Sequence, residues 1–176
     1  MAEPDLDLAA LIVPHAGYIY SGPIAATGYR LLPGMGRLRR VIMLGPSHFV
    51  PCRGLALPGV GQLETPLGYV DLDSVGVAAA LQSPLMSEIP EVHRREHSLE
   101  VQLPFLQVVA PGLPVLPILT GAVDPVAAAD VVEGLLDDTT LLLVSSDLSH
   151  YHDAPTARGL DNETVAAIER LDPDAL

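Results

Sequence analysis

Five of the six histidines fall in four short segments whose neighbours are those of functional loops: VPHAGYIYSG at 13–22, LGPSHF at 44–49, RREHSLEVQLPF at 94–105 and SSDLSHYH at 145–152. Imidazole serves both as a metal ligand and as a proton carrier near neutral pH, so a convergence of such loops points to a metal centre or a proton-transfer site. His15 and His48 each follow an apolar run. Their turns are built from Ala16-Gly17 and from Gly45-Pro46-Ser47, small and turn-forming residues that let the backbone reverse and a ligand approach closely. Asp147, three residues before His150, can orient an imidazole or contact a bound ion, and it can equally close the loop as an Asx-turn. His97 precedes Ser98, a helix-capping residue type, and a helix N-terminus biases an imidazole toward the neutral form a general base needs. Glu100 reads as a partner of that helix's dipole.

A competing pattern overlaps the third segment. His93-Arg94-Arg95-Glu96-His97 matches the H-x-x-E-H signature of inverted zinc metallopeptidases, in which both histidines share a helix face. A helix beginning at Ser98 would start after the motif and deny it that face. Cys52 is the single cysteine, which excludes an intrachain disulfide and reads as a structural thiol. His152 reads as a surface residue.

The elements that must hold these loops follow from apolar patterning. Residues 9–13, 41–44, 113–119 and 139–144 read as strands, the second stopped by Gly45-Pro46 and the third pushed to a sheet edge by its two prolines. Residues 24–32 read as a helix with Pro23 at its first turn. Residues 73–82, 98–109 with a kink at Pro104, 125–136 behind an Asp124 cap, and 162–171 read as further helices. The Gly- and Pro-rich stretch 54–72 reads as an antiparallel excursion or a long loop. Strands alternating with helices predict an α/β layered domain with a largely parallel sheet covered on both faces, whose strand ends deliver the chemistry.

Composition narrows the classes. The chain has 22 acidic residues against nine basic ones, all arginine, for a net charge of -13, which argues against nucleic-acid and anionic-membrane partners. With 49% hydrophobic but only 4% aromatic residues, the core must be built from Leu, Val, Ala and Ile. The N-terminus lacks the basic region of a signal peptide, and no apolar run approaches the ~20 residues that span a bilayer, so a cytoplasmic domain is expected. The sequence reads as one domain over 1–176. It ends on LDPDAL, a helix end and turn signal with no closing strand, and truncation at the C-terminus is the expectation.

Taken in order, VPHAGYIYSG, GPSH, ETPLG, EHSLEVQLPFL and SSDLSHY resemble the motifs of the Memo family, which includes AmmeMemoRadiSam system protein B, over about residues 9–171. That family is similar to the catalytic subunits of class III non-haem iron extradiol dioxygenases. The resemblance implies a three-layer α/β/α sandwich around a mixed, largely parallel sheet. It implies His15 and His48 as metal ligands and iron or copper as the metal. His97, Asp147 and His150 fall in its pocket motifs and are the expected catalytic residues. The family's third ligand is a cysteine some tens of residues past the SSD-x-x-H segment, a position this sequence does not reach, and Cys52 is not a match for it. The expected function is a metal-dependent, dioxygenase-like oxidoreductase acting on a small molecule. The alternative is a non-catalytic module that keeps the cleft for a peptide or small ligand, as the adaptor role of the family's animal member implies.

Overall fold

The computed structural model describes residues 8–175, so the N-terminal segment inspected for a leader lies outside them. Contacts divide the chain into two compact units, one ending at Ser146 and one starting at Asp147.

The first unit carries β1 (Ala10–Val13), α1 (Tyr18–Tyr29), β2 (Arg40–Pro46), β3 (Leu55–Leu57), β4 (Gln62–Thr65), β5 (Gly68–Asp71), α2 (Ser74–Ala80), β6 (Met86–Glu88), α3 (Pro90–His93), α4 (Leu103–Val109), β7 (Val115–Thr120), α5 (Pro125–Glu133) and β8 (Thr140–Ser145). Six strands form one sheet in the order β1-β8-β2-β7-β3-β6, and β4-β5 is a separate hairpin. β1, β8, β2 and β7 are mutually parallel, β3 runs antiparallel to β7, and β6 is parallel to β3.

The two faces of the sheet follow from the two-residue period of a strand. Val41, Met43, Leu141 and Leu143 point to one side, where Ala25 and Tyr29 of α1 and Leu103 and Leu106 of α4 cover them. Ile42, Leu116 and Ile118 point to the other, against Ala80 of α2 and Ala128 of α5. Side chains of this size each contribute about 1.5–3 kcal/mol on full burial. The result is the expected three-layer sandwich around a mixed, mostly parallel sheet.

Several local expectations are corrected. β7 is interior, not an edge, because its prolines are accommodated: β3 pairs only with Leu119 and Thr120. The Val115 carbonyl accepts the Asp73 N–H on that flank. Pro117, two residues on, turns its nitrogen to the same flank, where no strand needs a donor. β2 continues through Gly45 and Pro46, which pair with Leu119 and Thr120. α1 starts at Tyr18 and encloses Pro23; the carbonyl that Pro23 cannot serve belongs to Ile19, 84% exposed, where water can replace the bond. The 98–109 helix is instead a 3-10 turn over Glu100–Gln102 followed by α4, with Pro104 in the first turn of α4. An α-helix run through Pro104 would clash at the Glu100 carbonyl, and restarting there removes the conflict. β6 and α3 were not foreseen, while stretch 54–72 resolves into β3 and the β4-β5 hairpin.

In the second unit, α6 spans Ala154–Arg170 and so begins well before residue 162. Asp153 caps it, its carboxylate accepting the Thr156 N–H at 3.0 Å, with Pro155 in the first turn. No described helix is long and apolar enough to cross a membrane.

Candidate metal centre

His15 and His48 emerge just past the C-terminal ends of β1 and β2, and β8 lies between those strands and ends at Ser145. Parallel pairing therefore brings the first two histidine loops to one sheet edge, as expected of an α/β sheet. The third loop comes from the far side of the sequence and is seated on β2 at Gly45. A Cβ on Gly45 would stand 2.7 Å from Leu99 Cδ2 and 3.1 Å from Ser98 Oγ, so a larger residue there would force these side chains to give way. Ser98 Oγ then donates to the Pro46 carbonyl at 2.9 Å and locks the approach.

Three imidazoles meet there. Ring centroids are 5.3 Å apart for His15 and His48, 5.8 Å for His15 and His97, and 5.0 Å for His48 and His97, the last pair stacked. His15 is buried, while the His48 and His97 side chains are partly open to solvent. Phe49 packs at the rim, 5.8 Å from the His97 ring.

At the base of the cluster is Glu96, its side chain only 1% exposed. Its Oε1 faces His48 Nδ1 at 2.8 Å and accepts the backbone N–H groups of His97 and Ser98, each at 2.9 Å. Its Oε2 accepts the His48 backbone N–H. Burial alone would raise the carboxyl pKa, but the His48 N–H, the His48 ring and the Ser98 N–H outweigh it and hold the group down at about 2. Glu96 is thus an ionised, acceptor-only partner, so His48 donates from Nδ1 and the neutral ring carries its lone pair on Nε2.

Among the described residues, His48, Glu96 and His97 form a group able to offer three ligand atoms within 4.8 Å of one another. Imidazole nitrogens with a carboxylate make a donor set that iron, copper and zinc all accept. His15 stands beside this group, with Nδ1 2.9 Å from Ser145 Oγ.

His93 does not join them. It closes α3 and its Nε2 is 2.8 Å from the Ala56 carbonyl, an acceptor, so that nitrogen is a committed donor. Burial also pulls the His93 pKa below its ordinary value. The H-x-x-E-H reading therefore lacks its two-histidine helix face. Cys52 is half-buried against the core, its thiol pKa pushed up by burial, and it is not part of the ligand group.

Asp147 and His150 belong to the second unit. His150 is exposed and its Nδ1 lies 3.0 Å from the Leu148 carbonyl. Leu148 and Tyr151 on either side adopt left-handed φ angles of 57° and 64°, and such strain in non-glycine residues concentrates at functional loops. Asp161 accepts the Ser149 N–H at 2.9 Å and ties this loop to α6.

The sequence pattern marks Glu96 only as the glutamate of the peptidase signature. Gln102 is missed, although a signal for it exists. Leu99, Gln102, Leu103 and Leu106 follow the i, i+3, i+4, i+7 spacing of a buried stripe, which marks an amide in the core.

A family model described as "Memo-like protein" matches residues 3–176. Relatives named "MEMO1 family protein" include one from Thermotoga maritima, 37% identical over 94% of this chain and 62% of its own length. Another, from Aquifex aeolicus, is 37% identical over 95% of the chain and 63% of its own length. A third, from Methanopyrus kandleri, is 35% identical over 94% of the chain and 61% of its own length. The chain thus spans under two thirds of the length of these relatives.

Proposed function

The chain belongs to the Memo-like family, and on that premise we propose that its histidine cluster is a non-haem centre for iron or copper serving oxidative chemistry on a small molecule. The observation that carries this reading is the meeting of His15, His48 and His97 around one buried, ionised carboxylate. His48 and His15 are the expected imidazole ligands, with His97 as a third donor or as the proton carrier beside them. A redox-active metal held there would supply electron transfer and dioxygen chemistry.

The residues have separable tasks. Glu96 orients the His48 ring from behind, and its negative charge makes the pocket favourable for a cation. Its oxygens already accept four N–H bonds, which assigns it to holding ligands more than to ligating. His97, stacked on His48 and partly open to solvent, can take a proton from a substrate hydroxyl and return it to water. Asp147 and His150 enter this proposal through the SSDLSHY motif alone.

A reading as a non-catalytic binding module has its own support. An apolar groove of about 530 Å³ is lined by Tyr18, Tyr29, Leu67, Phe105 and Val108, of a size that suits a small ligand or a peptide side chain.

Calorimetric titration with Fe(II) under argon, and with Cu(II), tests the metal assignment. The protein should bind one equivalent, and His48→Ala should abolish it; unchanged binding by the variant would overturn the assignment. Binding without oxygen consumption on any catechol offered would favour the binding module.

A further inference from the structure

Ser145 lies behind the His15 ring, and the groups around its hydroxyl determine which ring nitrogen carries the proton. The hydroxyl has one hydrogen and two lone pairs. Three partners surround it: the Ser98 carbonyl at 2.6 Å, Gln102 Nε2 at 2.9 Å and His15 Nδ1 at 2.9 Å. The carbonyl can only accept, so the single hydrogen goes there; sending it to His15 would leave two acceptor oxygens facing each other at 2.6 Å. Gln102 Nε2 can only donate.

The Gln102 amide is fixed in turn. Its Nε2 also reaches the Pro14 carbonyl at 3.0 Å, and its Oε1 accepts from the Tyr29 hydroxyl at 2.8 Å. A flipped amide would set oxygen against the Pro14 oxygen. Burial pushes the Tyr29 pKa far up, so its proton stays in place to be donated. Gln102 and Ser145 are 0% and 2% exposed and Tyr29 1%, so no water competes for these positions.

We propose that Tyr29, Gln102 and Ser145 are positioning residues, a buried relay that fixes His15 with its proton on Nδ1 and its basic lone pair on Nε2. His48 reaches the same state by a different device, the Glu96 carboxylate. The two imidazoles nearest the sheet edge are then set in the same tautomer before any metal arrives, which removes a reorganisation step from binding. The functional consequence rests on the metal assignment above; the tautomer itself does not.

Two-bond ¹H–¹⁵N correlation of the histidine rings in metal-free protein reads the tautomer directly. His15 should show a protonated Nδ1 and a pyridine-like Nε2. Ser145→Ala should erase that fixed pattern and weaken Fe(II) binding about 10- to 100-fold, the range for lost outer partners of metal-binding histidines. Ser145→Thr, which keeps the hydroxyl, should restore both. Tyr29→Phe, which frees the Gln102 amide, should loosen the pattern partially. A wild-type His15 with its proton on Nε2 overturns the proposal, whether or not any variant folds, and so does a Ser145→Ala protein with unchanged tautomer and affinity. A correct tautomer in a protein that binds no metal would leave the relay standing and sink the metal assignment instead.

Discussion

Glu96→Gln is the substitution that most directly tests how the centre is held. Four N–H groups point at the carboxylate, three at Oε1 and one at Oε2. A glutamine can place its oxygen at only one of these positions. With the oxygen at Oε1 it keeps His48 Nδ1–H and the His97 and Ser98 amides, but its NH₂ then faces the His48 N–H, donor against donor. One buried unsatisfied donor costs about 1–3 kcal/mol. The three surviving bonds fall from charge-assisted to neutral strength, a loss of about 1 kcal/mol each before relaxation. Together these predict a destabilisation of at most about 4–6 kcal/mol at pH 7, measured by urea denaturation of metal-free protein. The pH dependence has a fixed sign. The carboxyl is held at about 2 against an ordinary value of 4.5. Its stabilisation is therefore complete above about pH 4.5 and is lost as pH falls toward 2. Because glutamine does not titrate, the gap between wild type and variant should narrow through that window. A variant within about 1 kcal/mol of wild type at pH 7, or a gap that widens on acidification, would refute the assignment of Glu96 as the ionised anchor.

Three substitutions test the frame beneath the site. Leu116→Ala empties a fully buried position on the α2/α5 face of the sheet and should cost about 2–5 kcal/mol in chemical denaturation. A cost below 1 kcal/mol would contradict that packing. Gly121→Ala would bring a Cβ to 2.3 Å from the Cys52 carbonyl oxygen and 2.7 Å from its carbon, which are backbone atoms with no rotamer to yield. It should lower the melting temperature sharply. Gly61→Ala, with nothing within 4 Å of its Cβ, should shift stability by no more than about 0.5 kcal/mol.

The legible part of this molecule and the hidden part divide along sequence separation. Strands over 139–144 and 41–44 and the Asp124-Pro125 helix start were readable because the signals are local: a run of apolar residues, a cap followed by a proline. The meeting of the His15 and His48 loops was readable because each hangs from its own strand end, and parallel pairing places strand ends together. What the sequence could not display is the support. Glu96 reaches His48 across 48 positions, Gln102 reaches Ser145 across 43, and Ser145 reaches His15 across 130. Ser145 looked like the first residue of a loop, yet it closes β8 opposite Val13 and faces the back of the imidazole. Apolar spacing over 98–109 predicts a continuous helix kinked at Pro104; the chain instead breaks to a 3-10 turn at Glu100–Gln102. That break sets Gln102 where its amide can reach both Pro14 and Ser145. A proline that looks like a defect in a helix is thus part of what aims a glutamine at Ser145, and the His15 and His48 rings are held from behind by residues that carry no imidazole at all.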